Sequence, residues 1–297
     1  MIPLFDLHCD TLYEMYKRNE SIFDNSLHIS MKKAENFSPY IQICAIWSDS
    51  SLSNDEAYQN YLKIIDYTNL KFTTKAQALK NHSYILSIED ARLLNGDLTR
   101  LDHLYKDGVR FLTLNWKGES IIGGGWDTTL PLTDFGKKTL FRCLELGIIP
   151  DISHSSTICT EEIINICEEN NKVAIASHSN SLYICNHKRN LSDELFRRLV
   201  KQKSIVGISL ASEHLNNDGK ATLDDILKHI YHYLALGGEN TICLGCDFDG
   251  VSSLPFGINS LKDLDKLYFE IEKSFGDDIA KKIFFKNAYK FMCKNLK

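Results

Sequence analysis

The chain has 297 residues, 43% of them hydrophobic and 25% charged, with a formal net charge of −5. These are globular proportions, with enough apolar mass for a real core and too little positive charge for a surface that tracks nucleic-acid phosphates. No window holds the ~18 unbroken apolar residues of a membrane span, and MIPLFDLHCD has neither the basic nor the apolar region of a secretory leader, so the expected location is the cytoplasm, without membrane association.

Short β-rich runs alternate with helical ones once the hydrophobic periods are separated. The first strand is 2–8, IPLFDLH, followed by the helical TLYEMYKRN. The second is 40–47, before a long helical stretch from NDEAY to NLKF. The third is 83–89, and the helix after it stops at Gly108. The fourth, 109–116, precedes a helix closed by Gly147. The fifth, 148–153, leads into a helix with a Ser/Thr-rich start, as helix N-termini prefer. The sixth is 172–177, the seventh 204–210 and the eighth 241–246, each followed by a helix, with a last helix near 276–294.

Eight strands alternating with eight helices predict an α/β chain folded as a (β/α)8 TIM-type barrel, a single domain over residues 1–297 with a C-terminal helix. A doubly wound open sheet is the alternative. It calls for a Gly-rich phosphate turn after the first strand, and the run Gly123-Gly124-Gly125 reads instead as a loop.

Nine cysteines without framework spacing fit a reducing compartment. Cys243 and Cys246 have C-x-x-C spacing, but on a strand residues three apart point to opposite faces, so the pair reads as structural.

The chemistry shows when polar residues are placed relative to their strands. His8 and Asp10 follow the first strand, Glu89 ends the third, His154 the fifth, His178 the sixth, and Asp247 and Asp249 the eighth. In a parallel barrel those ends converge on one face. His8 and Asp10, two apart, can bind one ion together while Cys9 points away. With Glu89, His154 and His178 there are ligands for two ions; neutral imidazole and carboxylate suit zinc, and manganese, cobalt or iron would accept the same set. A lone strand-end histidine is ordinarily structural, but five ligand-type residues ending four strands would leave an inert scaffold with buried unpaired carboxylates. His28, His82, His103, His229 and His232 read as solvated or capping residues, and His214 as a candidate for the edge of the site.

The stretches DLHCDTL, SIEDA, DGVRFLTLNW, LTDFG through LGIIPDISHSS, VAIASHSNSLYICNHKRNLSDE and LGCDFDGV run in one order from residue 4 to about 257. Together they resemble the renal (membrane) dipeptidase family, metal-dependent hydrolases on a barrel related to the amidohydrolases. The resemblance implies that His8 and Asp10 ligate one Zn2+, His154 and His178 the other, and Glu89 bridges both. It further implies that Arg189 binds the substrate's terminal carboxylate, which a planar guanidinium can do bidentately. Asp247 would face the substrate amine and assist proton transfer, with Asp249 supporting the loop. A small peptide is the implied partner, and the family suggests a homodimer.

One departure concerns Trp116, which stands where some family members carry a substrate-contacting histidine. An indole donates one hydrogen bond and cannot titrate. The expected function is a metal-dependent dipeptidase in which a hydroxide bridging two zinc ions attacks the peptide bond. The alternatives are a related barrel metallohydrolase acting on another amide or a lactone, and a non-catalytic metal-binding protein.

Overall fold

The computed structural model describes residues 1–296. Seven strands, β1 (Ile2–Asp6), β2 (Phe37–Ile46), β3 (His82–Glu89), β4 (Val109–Thr113), β5 (Ile149–Asp151), β6 (Val206–Ile208) and β7 (Ile242–Leu244), form one curled sheet in the order β5-β4-β3-β2-β1-β7-β6. Every pairing is parallel. The helices are α1 (Thr11–Arg18), α2 (Asn54–Thr68), α3 (Leu98–Asp107), α4 (Asp134–Leu146), α5 (Thr157–Glu169), α6 (Asp193–Lys201), α7 (Ser212–Leu215), α8 (Leu223–Ala235), α9 (Leu264–Phe275), α10 (Asp277–Lys281) and α11 (Asn287–Asn295). Their ends follow local chemistry. Ser53 and Glu56 close a capping box on α2, and Gly108 and Gly147 end α3 and α4 at φ 107° and 80°.

Two apolar layers hold the sheet. On its concave side Phe5, Ile41, Ile85, Phe111, Ile149 and Cys243 meet Phe291, Met292 and Leu296 of the C-terminal helix region. On the other side Leu4, Cys44, Leu86, Leu112, Leu244 and Cys246 pack under the helices. Cys243 and Cys246 thus lie in different layers, and both are free thiols.

The regular sheet has seven strands and not the expected eight. The segment expected as strand six, 172–177, makes only the isolated bridges Asp151↔Ile175 and Ala176↔Val206. On one flank Ile152 N donates to Ile175 O at 2.9 Å and Ile175 N to Pro150 O at 2.9 Å; on the other Ala176 N donates to Ile205 O at 3.2 Å and Gly207 N to Ala176 O at 2.8 Å. The next bond along the β5 flank would need a donor at position 150. Proline has no N–H, so the ladder stops there.

Among the described residues no helix is long and apolar enough to cross a membrane.

Candidate active site

Each strand delivers its polar residue where its ladder ends. Glu89 is the last residue of β3. His8 and Asp10 lie just past β1, where Asp10 N donates to Phe248 O and Asp247 N to His8 O, tying the segment to the one that follows β7. His154 and Asp247 have φ of 66° and 62°, a left-handed backbone that non-glycine residues adopt at a cost and that here turns both side chains inward.

These side chains converge. The two carboxylate oxygens of Glu89 point to different partners, Oε2 lying 3.0 Å from His8 Nε2 and Oε1 2.8 Å from His154 Nε2. His154 Nε2 faces His178 Nε2 at 2.9 Å. On the other flank His8 Nε2 lies 3.4 Å from Asp10 Oδ2 and 3.8 Å from Asp247 Oδ1. Two overlapping groups of ligand atoms result, His8 with Glu89 and His178, and His8 with Asp10 and Asp247. All five expected ligands therefore meet, and Asp247 joins the Asp10 end. His8 Nε2 is buried and, despite its close carboxylates, lacks the alignment of a hydrogen bond to any of them; Asp10 Oδ1 and His154 Nδ1 are also buried without a partner among the described residues. His8 Nε2 thus faces the carboxylates of Glu89, Asp10 and Asp247 without bonding to any of them, which suits a cation held between them.

Burial and the close approach of carboxylates and imidazoles set the charge states of the cluster. Burial opposes a charged His8, but Glu89 and Asp10 outweigh it and hold its pKa well above the usual value. Burial and the neighbouring Glu89 lift Asp10 to about 6. Burial, with Asp10 and Glu89 adding repulsion, puts Asp247 well above the carboxylate range. Glu89 stays well below it because His154 and His8 outweigh its burial. Burial and Arg189 lower His154 to about 4, and burial and His8 hold His178 far down, so both rings are neutral, as ligation requires.

Behind the cluster stand residues that strand-end reasoning passed over. Asp151 accepts from Thr113 Oγ1 at 3.0 Å, Ser153 N at 2.9 Å, Ser177 N at 3.0 Å and Ser177 Oγ. Ser177 Oγ also lies 2.7 Å from His178 Nδ1. With its proton given to Asp151, the hydroxyl accepts from Nδ1–H of His178, which leaves the lone pair of Nε2 facing the cluster. Asp6, inside the opening motif, is fully buried and accepts from Cys246 N at 2.8 Å and Gln42 Nε2 at 3.0 Å, clipping β1 to its neighbours. Both oxygens of Asp249 are taken, by Thr11 Oγ1 at 2.6 Å and His28 N at 2.7 Å. His28 Nδ1 in turn accepts from Asp249 N at 2.9 Å, so the partly exposed ring supports this loop and is not merely solvated. His229 also departs from expectation: it is fully buried, its Nδ1 accepting from Ser181 N at 3.0 Å.

A cavity of about 460 Å³ opens over the cluster. Arg189, Trp116 and His214 line it. Arg189 is only 6% exposed, and its Nη2 has no hydrogen-bond partner among the described residues. Burial draws its pKa to about 10, with Asp247 and Glu89 opposing, so it stays a cation. Trp47, Trp126, His187 and Tyr13 also face the cavity. Trp47 ends an expected strand and was legible by position; Trp126 and His187 sit in loops and carried no such signal.

Histidine and carboxylate side chains gathered over parallel strand ends could hold metal ions, an arrangement found in metal-dependent hydrolases. The chain matches the sequence model of the membrane dipeptidase family (peptidase family M19) over residues 1–295, and it belongs to that family. An uncharacterized dipeptidase of Schizosaccharomyces pombe is 28% identical over 222 residues, 70% of this chain and 50% of that protein, so the chain spans about half the length of this relative. A metallo peptidase from Rhodobacter sphaeroides, solved with a phosphinate mimic of the dipeptide L-Ala-D-Ala, superposes with a TM-score of 0.90 at 21% identity over 99% of both chains. The probable dipeptidase PvdM from Pseudomonas aeruginosa gives a TM-score of 0.86 at 16% identity, over 99% of this chain and 95% of its own. These likenesses establish the shared fold.

Proposed function

We propose that the protein is a dipeptidase of unblocked dipeptides with a binuclear zinc centre held by His8, Asp10, Glu89, His154 and His178. In this reading Ile175–Ala176 is the remaining position of an eightfold barrel. The observation that carries it is Glu89, whose two oxygens reach His8 and His154 separately, as a carboxylate shared by two ions does. Zinc bound by these residues would supply a water activated near neutral pH and Lewis acidity toward the scissile carbonyl.

The chain's own residues then act on the substrate. Arg189 takes the terminal carboxylate with its free nitrogen. Asp247 lies beside His8 and Asp10, where it can meet the substrate amine and carry a proton to the leaving nitrogen. Charges gripped at both ends fit a substrate two residues long. The test compares a free dipeptide with its N-acetylated and C-amidated forms. The free form is expected to be cut at least about 100-fold faster, since each blocked form leaves a buried charged group unpaired. Equal rates on all three would place the protein among barrel hydrolases of other amides or lactones.

The Asp151–Ser177–His178 chain gives a second expectation. Ser177→Ala weakens zinc binding by about 10–100-fold, as loss of a partner behind a metal-ligating histidine does, and Ser177→Thr restores most of it. Competition against a chromogenic chelator reads this directly. Unchanged affinity in Ser177→Ala would remove the chain from the metal's support.

A further inference from the structure

All three tryptophans of the chain, Trp47, Trp116 and Trp126, line the cavity over the strand ends. Two of them belong to one continuous aromatic surface. Tyr13 meets Trp47 edge to face at 5.1 Å, Trp47 meets Trp116 at 5.2 Å, and Trp116 stacks on His154 at 6.1 Å. Trp47 follows β2 and Trp116 follows β4, so the wall stands on the half of the sheet built by β1 to β4. Arg189 enters from the opposite half, between Ala176 and α6.

That placement orients a dipeptide, given the dipeptidase reading above, on which this inference rests. With its carboxylate at Arg189 and its amine toward Asp247 and Asp10, the scissile bond lies over Glu89. The N-terminal side chain then turns to the β1–β4 half, where Tyr13 stands one helical turn beyond Asp10. The wall offers that side chain ring surface: Glu14, at the cavity, is held by Arg18 at 2.8 Å, and Lys17, whose Nζ lies 5.5 Å from the Tyr13 ring centroid, also pairs with Glu14. We propose that Tyr13, Trp47 and Trp116 form the subsite of the N-terminal residue, and that the enzyme selects dipeptides whose first residue is aromatic or large and apolar. A small side chain leaves these rings uncovered, whereas an aromatic one gains both buried area and ring-to-ring geometry. Trp116, an indole that cannot titrate, is part of this selectivity.

The experiment measures kcat/KM of the zinc-loaded full chain on Phe-Ala, Ala-Phe and Ala-Ala. Phe-Ala is expected to exceed both others by about tenfold or more. In Trp47→Ala the ratio of Phe-Ala to Ala-Ala falls by about tenfold, whereas Trp47→Phe keeps it within about threefold. The wild-type comparison needs no variant and stands if Trp47→Ala does not fold. Equal or better cleavage of Ala-Phe, or a Trp47→Ala variant that loses Phe-Ala and Ala-Ala by the same factor, overturns the subsite while leaving the dipeptidase reading intact. Failure to cut any of the three removes both.

Discussion

Glu89→Gln is expected to lower dipeptide hydrolysis by on the order of 10³-fold or more while the chain stays folded. The substitution keeps the shape of a side chain that is 4% exposed at the end of β3 and removes only its charge. That charge faces His8 on one side and His154 on the other. Without it no single group spans the two halves of the cluster, and an amide is a poor ligand to share between cations. Metal content should fall with activity, and His8 loses the carboxylate that most strongly favours its charged form. Steady-state kinetics with elemental analysis of the same sample check this. A variant with full metal content and wild-type turnover would leave the shared carboxylate without a role.

Arg189→Met is expected to reduce kcat/KM on free dipeptides by about 10²–10³-fold through KM, with little change on a C-amidated substrate. The guanidinium is buried, has an unpartnered nitrogen and sits among the neutral rings of His154, His178 and His214, whose titration it suppresses. A cation buried at a cost, with a nitrogen left unpartnered, stabilises the fold little, so methionine, of similar length and apolar, should leave thermal stability unchanged or raised. Arg189→Lys should recover only part of the loss, because a point charge cannot grip a carboxylate with two parallel bonds. An unchanged KM in the methionine variant would move the carboxylate site elsewhere in the cavity.

The strand-end rule made the cluster legible, because it needs only the β/α alternation and the identity of the residue at each C-terminal end. His8, Asp10, Glu89, His154, His178 and Asp247 all follow from it, and they meet in the folded chain. The rule was blind to whatever works from behind. Asp151 lies inside the expected fifth strand, 148–153, although β5 itself ends at it, and its partnership with Ser177 depends on how that strand and the next segment are stacked. His229 sits on α8 at a position that periodicity reads as ordinary, yet it anchors the loop at Ser181. The segment expected as strand six makes only isolated bridges for a local reason: KVAIAS has the composition of a strand, but Pro150 on its neighbour denies it one ladder bond and Ser177 N is drawn to Asp151 Oδ1 at the other end. Trp47 was visible at a strand end and passed over because an indole does not titrate. Its meaning comes from Tyr13 and Trp116 beside it, a contact among three distant segments.

Five residues that hold two ions between them have a direct measure, zinc per chain. Apo-protein saturated with zinc, desalted and quantified by elemental analysis should carry two ions per chain in the wild type, with both lost or weakened in Glu89→Gln. A wild-type chain that retains no zinc, or retains the same amount with Glu89 replaced, would contradict the account.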